Sequence, residues 1–380
     1  MQLRRFASVA DVVTQLKPAV PVLCFCPDAF GASARRFVAG FPGAVHYAVK
    51  ANPHPQVLRW LSQGGVSGFD VASITEIALV RRELGPGAHL AFNHPVKSRA
   101  DIETAYGQFG VRDFVIDHPD ELEKLKAICG KDIVVQVRIA RANPDSAVDL
   151  NAKFGCDGQT AASLMRDAVA HGFDAALAMH VGWQAREPKA WTEAMAMGAG
   201  AAQAAGVTLK YANLGGGYPS VLMPQARKLE DFFDVITRAG QAYLPGTQLS
   251  CEPGSALVWD SAVSVARVVL RKDDAVYIND GIYGLMNEIK HTGISQPAQA
   301  LTAAGDPVQG QVQPLTVFGP TCDSLDQLPR PVMLPCGIGE GDYIVFGWMG
   351  AYSNALLTAF NGLGQVDYVA LAKMPEFPHA

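Results

Sequence analysis

The sequence predicts an α/β fold, a (β/α)8 TIM-like barrel, followed by a β-sandwich or β-barrel domain at the C-terminal end. Two observations carry this. From Pro21 to about Leu257, short apolar runs alternate with longer amphipathic segments. After Leu257 the helical periodicity fades and β-branched runs take over.

The apolar runs are 22–26, 44–49, 114–116, 133–139, 176–180 and 209–214. Runs this short, rich in Val, Ile and Leu, read as buried strands of a parallel sheet. The segments between them read as helices: 120–127 puts Leu122 and Leu125 on one face, 160–170 sets Leu164 and Val169 among alanines, and 196–205 is alanine-rich. About eight such units in this span favour a closed barrel over an open sheet. Residues 20–257 are therefore expected to form the barrel. The runs 261–270, 275–278, 312–318 and 343–346 form a mostly antiparallel domain, joined by 1–19, so that 1–19 and 258–380 make one discontinuous unit.

Composition narrows the function classes. The 380 residues carry a net charge of −5, with no run of like charge and no basic face to bind nucleic acid. No apolar stretch reaches the length of about 18 residues that a membrane helix needs, and the first residues do not read as a signal peptide. Seven scattered cysteines fit a reducing cytoplasm better than a disulfide framework. Cys24-x-Cys26 has no partner pair at metal-finger spacing, so it reads as two strand residues and no metal site is expected.

Several residues carry chemistry. Lys50 ends the run His46-Tyr47-Ala48-Val49. At the C-terminal end of a barrel strand, beside apolar walls, an amine is destabilised as ammonium and becomes a nucleophile. A surface lysine snorkelling to water is the alternative on this segment alone. Gly215-Gly216-Gly217 follows another strand and leaves backbone N–H groups open to cradle a phosphate; a tight turn is the plainer reading. Glu252, in Glu252-Pro253-Gly254, is placed to hold a proton on a pyridine nitrogen, or to serve structure only. His180 before Val181-Gly182 suits stacking on a flat ring or a satisfied core site. Asp280 lies in a turn signal, Cys322-Asp323 pairs a thiol with a carboxylate, and the hydroxyl of Tyr352 suits a phosphate or a buried partner.

In order and combination these motifs resemble the fold-type III pyridoxal-phosphate decarboxylases, the family of ornithine and diaminopimelate decarboxylases. The resemblance runs from Tyr47-Ala48-Val49-Lys50-Ala51-Asn52 through 69–73, Arg138-Ile139, 153–155, His180-Val181-Gly182, 215–217 and 252–254 to Gly350-Ala351-Tyr352. It implies pyridoxal 5'-phosphate as cofactor, with Lys50 as the lysine that links to it and Glu252 as the partner of its ring nitrogen. His180 would stack on the ring with Arg138 behind it, and Asp70 and Ser73 would lie near. Gly215, Gly216, Gly217 and Tyr352 would hold the phosphate, with Gly254 and Ser255 beside them. It implies a homodimer with shared active sites, in which Cys322 and Asp323 of the partner subunit reach the site.

Phe318-Gly319-Pro320-Thr321-Cys322-Asp323 and Asn279-Asp280-Gly281-Ile282-Tyr283-Gly284 resemble the ornithine branch. Asp280, Tyr283 and Asp323 are accordingly expected at the distal end of a basic substrate, where carboxylates need a partner charge. Decarboxylation of ornithine or lysine to a diamine, in polyamine biosynthesis, is the implied activity. Two positions depart from the pattern: Ser255 stands where the family has arginine, and Trp183 where it has serine. They leave open a diverted outcome on the same cofactor, such as oxidative decarboxylation or racemisation, or a non-catalytic homologue that binds a partner protein.

Overall fold

The computed structural model describes residues 3–146, 153–220 and 227–377. Its chain divides into two units, 33–257 and 1–32 with 258–380.

In the first unit eight parallel strands close a barrel. They are Ala44–Ala48, Gly68–Val71, His89–Phe92, Asp113–Ile116, Val134–Ile139, Asp174–Met179, Tyr211–Asn213 and Gln248–Cys251. The last strand pairs back onto the first, Ser250 opposite Ala44. Register fixes which residues share a level: Ala48 lies opposite Asp70, Gln136 opposite both Val115 and Ala176, and Asn213 opposite both Ala178 and Ser250. Most strand residues are buried on both faces, which explains continuous apolar runs where a half-exposed sheet would alternate.

The intervening helices start and stop where local chemistry directs. Ser98 caps Arg99–Gly107 by accepting from the Asp101 N–H at 3.0 Å. Asp157 caps Gly158–His171 by accepting from the Thr160 N–H at 2.8 Å, and that helix ends at Gly172 in the left-handed region. The alanine-rich segment belongs to a longer helix, Lys189–Ala205, whose buried face carries Trp191, Met195 and Gly198.

The second unit is a nine-stranded mixed sheet. Five pairings are antiparallel and three are parallel. Its core gathers Val12, Val13, Val263, Val265, Val345 and Leu371. The strand Val22–Phe25, read above as the first barrel run, belongs here: it pairs with Ala262–Lys272 and with Asp367–Leu371. A fully buried apolar strand looks the same in either sheet, so only long-range pairing tells them apart. Cys24 sits inside that strand, and all seven cysteines are free. Among the described residues no helix is long and apolar enough to cross a membrane, and no cluster of three or more His, Cys, Asp or Glu could hold a metal ion.

Candidate active site

The strand Ala44–Ala48 runs into a single 3-10 turn, Val49–Ala51, which carries Lys50 at the C-terminal mouth of the barrel. Val49 and Ala51 are fully buried, while the Lys50 side chain is 54% exposed. Its Nζ lies 3.8 Å from Asp70 Oδ2. Burial raises the proton affinity of Asp70, and the charges of Lys50 and Arg138 oppose that rise. Ser73 has a local duty: its hydroxyl caps the helix Ile74–Leu84 by accepting from the Glu76 N–H at 3.3 Å.

Glu252 follows the last barrel strand. Its Oε1 accepts from Asn213 Nδ2 at 2.6 Å and also from Asn93 Nδ2. Gln136 joins the two amides, accepting from Asn213 at 2.8 Å and donating to Asn93 Oδ1 at 2.8 Å. Gln136 also donates to Asp113 at 2.8 Å, and the Tyr211 hydroxyl donates to the same carboxylate. Burial and the nearby Asp70 push the Glu252 carboxyl well above its ordinary range, and the Asn213 hydrogen bond and Lys50 pull it down.

The three glycines lie against backbone. A Cβ at Gly215 would sit 2.1 Å from the Met179 carbonyl oxygen, at Gly216 2.8 Å from that of Glu252, and at Gly217 2.3 Å from that of Gly182. Gly215 and Gly217 also have φ of 68° and 93°, which other residues rarely adopt. His180 accepts the Gly182 N–H through Nδ1 at 3.1 Å, leaving the proton of the neutral ring on Nε2. Burial, then the charges of Arg138 and Lys50, hold its pKa well below the usual value, so the ring is neutral. The Arg138 guanidinium stands 5.6 Å from the centre of the Phe154 ring, and its buried Nε has no hydrogen-bond partner among the described residues. Gly254 packs on the end of the first strand and the turn after it, where a Cβ would lie 3.3 Å from that of Ala48 and 3.2 Å from that of Ala51. Ser255 is buried and opens the short helix Ser255–Val258. Trp183 is half-buried, and the next residue, Gln184, exchanges two hydrogen bonds with Ser220 at 2.8 and 2.9 Å.

The remaining expected residues lie in the second unit. Cys322 is exposed, with its N–H bound to Asn361 Oδ1 at 3.2 Å. The Tyr283 hydroxyl donates to Asp323, which holds that carboxyl below its ordinary range, and Phe360 packs 4.7 Å from the Tyr283 ring. Asp280, expected to face the substrate, uses one carboxylate oxygen within its own turn. It is 3% exposed, and its Oδ1 accepts from the N–H groups of Gly281 and Leu285, both at 2.9 Å, so it closes its own turn. Tyr352 is half-buried with φ of 59°, two residues after a glycine whose Cβ would meet the Val258 carbonyl oxygen at 1.7 Å.

Sequence reading missed Asn93, Asp113, Gln136 and Asn213. The available signal was polar residues within apolar strands, at Gln136 in 133–139 and Asn213 in 209–214. A buried amide needs partners, and those partners are distant in sequence.

A barrel with a lysine, a buried and a half-buried carboxylate and a glycine turn at its C-terminal mouth defines a class: a barrel enzyme built around a phosphorylated aromatic cofactor. Residues 29–259 match the model of the pyridoxal-dependent decarboxylase family, pyridoxal binding domain. The lysine/ornithine decarboxylase of Selenomonas ruminantium is 32% identical over 88% of this chain and 84% of its own. The lysine/ornithine decarboxylase of Vibrio vulnificus, solved with putrescine, superposes with a TM-score of 0.83 at 29% identity, covering 96% of this chain and 99% of the other. The arginine decarboxylase of Paramecium bursaria Chlorella virus, solved with agmatine, gives 0.85 at 25% identity, covering 95% and 99%. The chain belongs to the pyridoxal-dependent decarboxylases.

The residues present fit that cofactor. The glycine turn lies closer to the Met179, Glu252 and Gly182 carbonyls than any Cβ allows, the buried Arg138 Nε has no hydrogen-bond partner among the described residues, and Asp70 and Glu252 set two carboxylates beside Lys50, where a cationic ring would be held.

Proposed function

We propose that this enzyme removes the α-carboxylate of a diamino acid, ornithine or lysine, releasing CO2 and the diamine, within polyamine biosynthesis in the cytoplasm. The observation that carries the reading is the joint placement of Lys50, Asp70 and Glu252 at one barrel mouth, in a chain whose relatives include lysine/ornithine decarboxylases. Pyridoxal phosphate supplies an electron sink for the α-carbon when bound. Lys50 would hold it covalently. Glu252 would pair with its ring nitrogen, with Asp70 adding negative charge nearby. His180, neutral and backed by Arg138, would stack on the ring. Gly216, Gly217, Ser255 and Tyr352 would take the phosphate, while Gly215, whose N–H is held by Asn213 Oδ1, shapes the turn that presents them. With serine at 255, backbone N–H groups carry more of that dianion than they would beside an arginine.

We propose further that the enzyme is a homodimer, and that Cys322 of the partner subunit returns a proton to the substrate α-carbon. The Tyr283–Asp323 pair supplies a carboxylate for the distal ammonium; its low pKa keeps it charged at neutral pH. Asp280 shapes the turn that presents Tyr283. The test is product identification: cofactor-loaded protein is incubated with L-ornithine, L-lysine, L-arginine and meso-diaminopimelate, and products are analysed by mass. Putrescine or cadaverine with matching CO2 is expected. Aldehyde, racemised acid or no product from any of the four would overturn the reading.

A further inference from the structure

Gly215 N–H can only donate, and it donates to Asn213 Oδ1 at 3.0 Å. That single bond fixes which way the Asn213 amide faces. Its Nδ2 must then point at Gln136 Oε1, 2.8 Å away, and at Glu252 Oε1, 2.6 Å away. With Gln136 Oε1 accepting, Gln136 Nε2 must face Asn93 Oδ1 and Asp113 Oδ1, both at 2.8 Å. With Asn93 Oδ1 accepting, Asn93 Nδ2 must also face Glu252 Oε1. Reversing any amide would set N–H against N–H, or oxygen against oxygen, at hydrogen-bond distance inside a barrel where Gln136 and Asn213 are 0% and 2% exposed. Gly215 anchors the other end too, since its carbonyl accepts the Glu252 N–H at 2.8 Å.

We infer that Asn93, Gln136 and Asn213 form a one-way amide chain that keeps Glu252 Oε1 a permanent acceptor, leaving Oε2 as the only oxygen of that carboxylate able to share a proton with the cofactor ring. The three amides are positioning residues. They turn the polarity of one backbone N–H in the glycine turn into a fixed rotamer and charge on Glu252. Without them Glu252 could protonate on either oxygen, and its buried position beside Asp70 would favour that. Two N–H donors on one oxygen favour the ionised form instead. The inference rests on the pyridoxal-phosphate reading above, and it adds residues that touch neither cofactor nor substrate.

The experiment follows the ring nitrogen directly. Protein is loaded with cofactor labelled with 15N in the ring, and the nitrogen chemical shift is recorded from pH 6 to pH 9. Asn93→Leu removes one donor, so the proton should move from ring to glutamate, lowering the ratio of protonated to unprotonated ring nitrogen by about tenfold or more. Glu252→Gln is nearly isosteric and keeps the fold testable if Asn93→Leu does not fold. The amide chain forces the substituted oxygen inward and its N–H outward, so the ring nitrogen should be unprotonated throughout. A ring nitrogen that stays protonated in Glu252→Gln refutes the fixed polarity, and a parent-like shift in Asn93→Leu refutes the role of the chain. Parent protein that binds no labelled cofactor refutes the underlying reading instead, so the two failures are distinct.

Discussion

A methyl group at Gly217 separates the glycine cradle from an ordinary turn. In Gly217→Ala the new Cβ would sit 2.3 Å from the Gly182 carbonyl oxygen and 3.0 Å from Val181 Cγ2. An ordinary carbon–oxygen contact is about 3.3 Å, so that carbonyl must retreat by about 1 Å. The retreat strains the bond from the Ala185 N–H to the Gly217 carbonyl, now 2.8 Å, and the double link between Gln184 and Ser220 just beyond. The φ of 93° adds the left-handed penalty of about 1–2 kcal/mol. Relief of overpacking adds about 1–3 kcal/mol, for a total of about 2–5 kcal/mol. Two assays read it. Urea unfolding of cofactor-free protein should show a loss of that size, and titration by absorbance should show cofactor affinity falling by about tenfold or more. Parent-like stability together with parent-like affinity would refute both the strain and the role of this turn.

Other outcomes follow from single residues. Gly200→Ala, inside the helix Lys189–Ala205 with none of the described residues within 4 Å of the new Cβ, should stabilise by about 0.5–1 kcal/mol in the same unfolding assay; a loss would contradict that open space. Burial raises the Asp280 carboxyl to about 7, so between about pH 4 and pH 7 the folded chain keeps a proton the unfolded chain releases. Stability from this group is thus full in acid and lost as pH rises through 7. Asp280→Asn keeps the Oδ1 acceptor, so its stability relative to the parent should grow from pH 5 to pH 8, by about 3 kcal/mol at most; equal differences at both pH values would contradict the burial argument. Cys322→Ala should slow proton return and yield aldehyde or other misdirected product, and unchanged rate and product would remove the thiol from the mechanism.

The barrel was legible because its strands are buried on both faces and its helices are amphipathic, a pattern few other folds produce. Lys50, the three glycines and Glu252 were legible because each sits at a strand end with unusual local chemistry. Two things were not. Val22–Phe25 lies in the mixed sheet although its burial is complete, as in a barrel strand. The amide chain beneath Glu252 joins residues 93, 136, 213 and 252, and no local pattern announces a partner 39 or more positions away.

The assignment of Lys50 is tested most directly by trapping. Protein is saturated with pyridoxal phosphate, reduced with borohydride and digested, and the modified lysine is located by mass spectrometry. The rival is Lys97, whose amine burial lowers to about 8, which by basicity alone makes it the readier nucleophile at neutral pH. Its Nζ, however, is enclosed and donates to the carbonyls of His94, Pro95 and Val115. Label on the Lys50 peptide, lost in Lys50→Ala, is the expected result. Label on Lys97, or label that survives Lys50→Ala, would contradict the account.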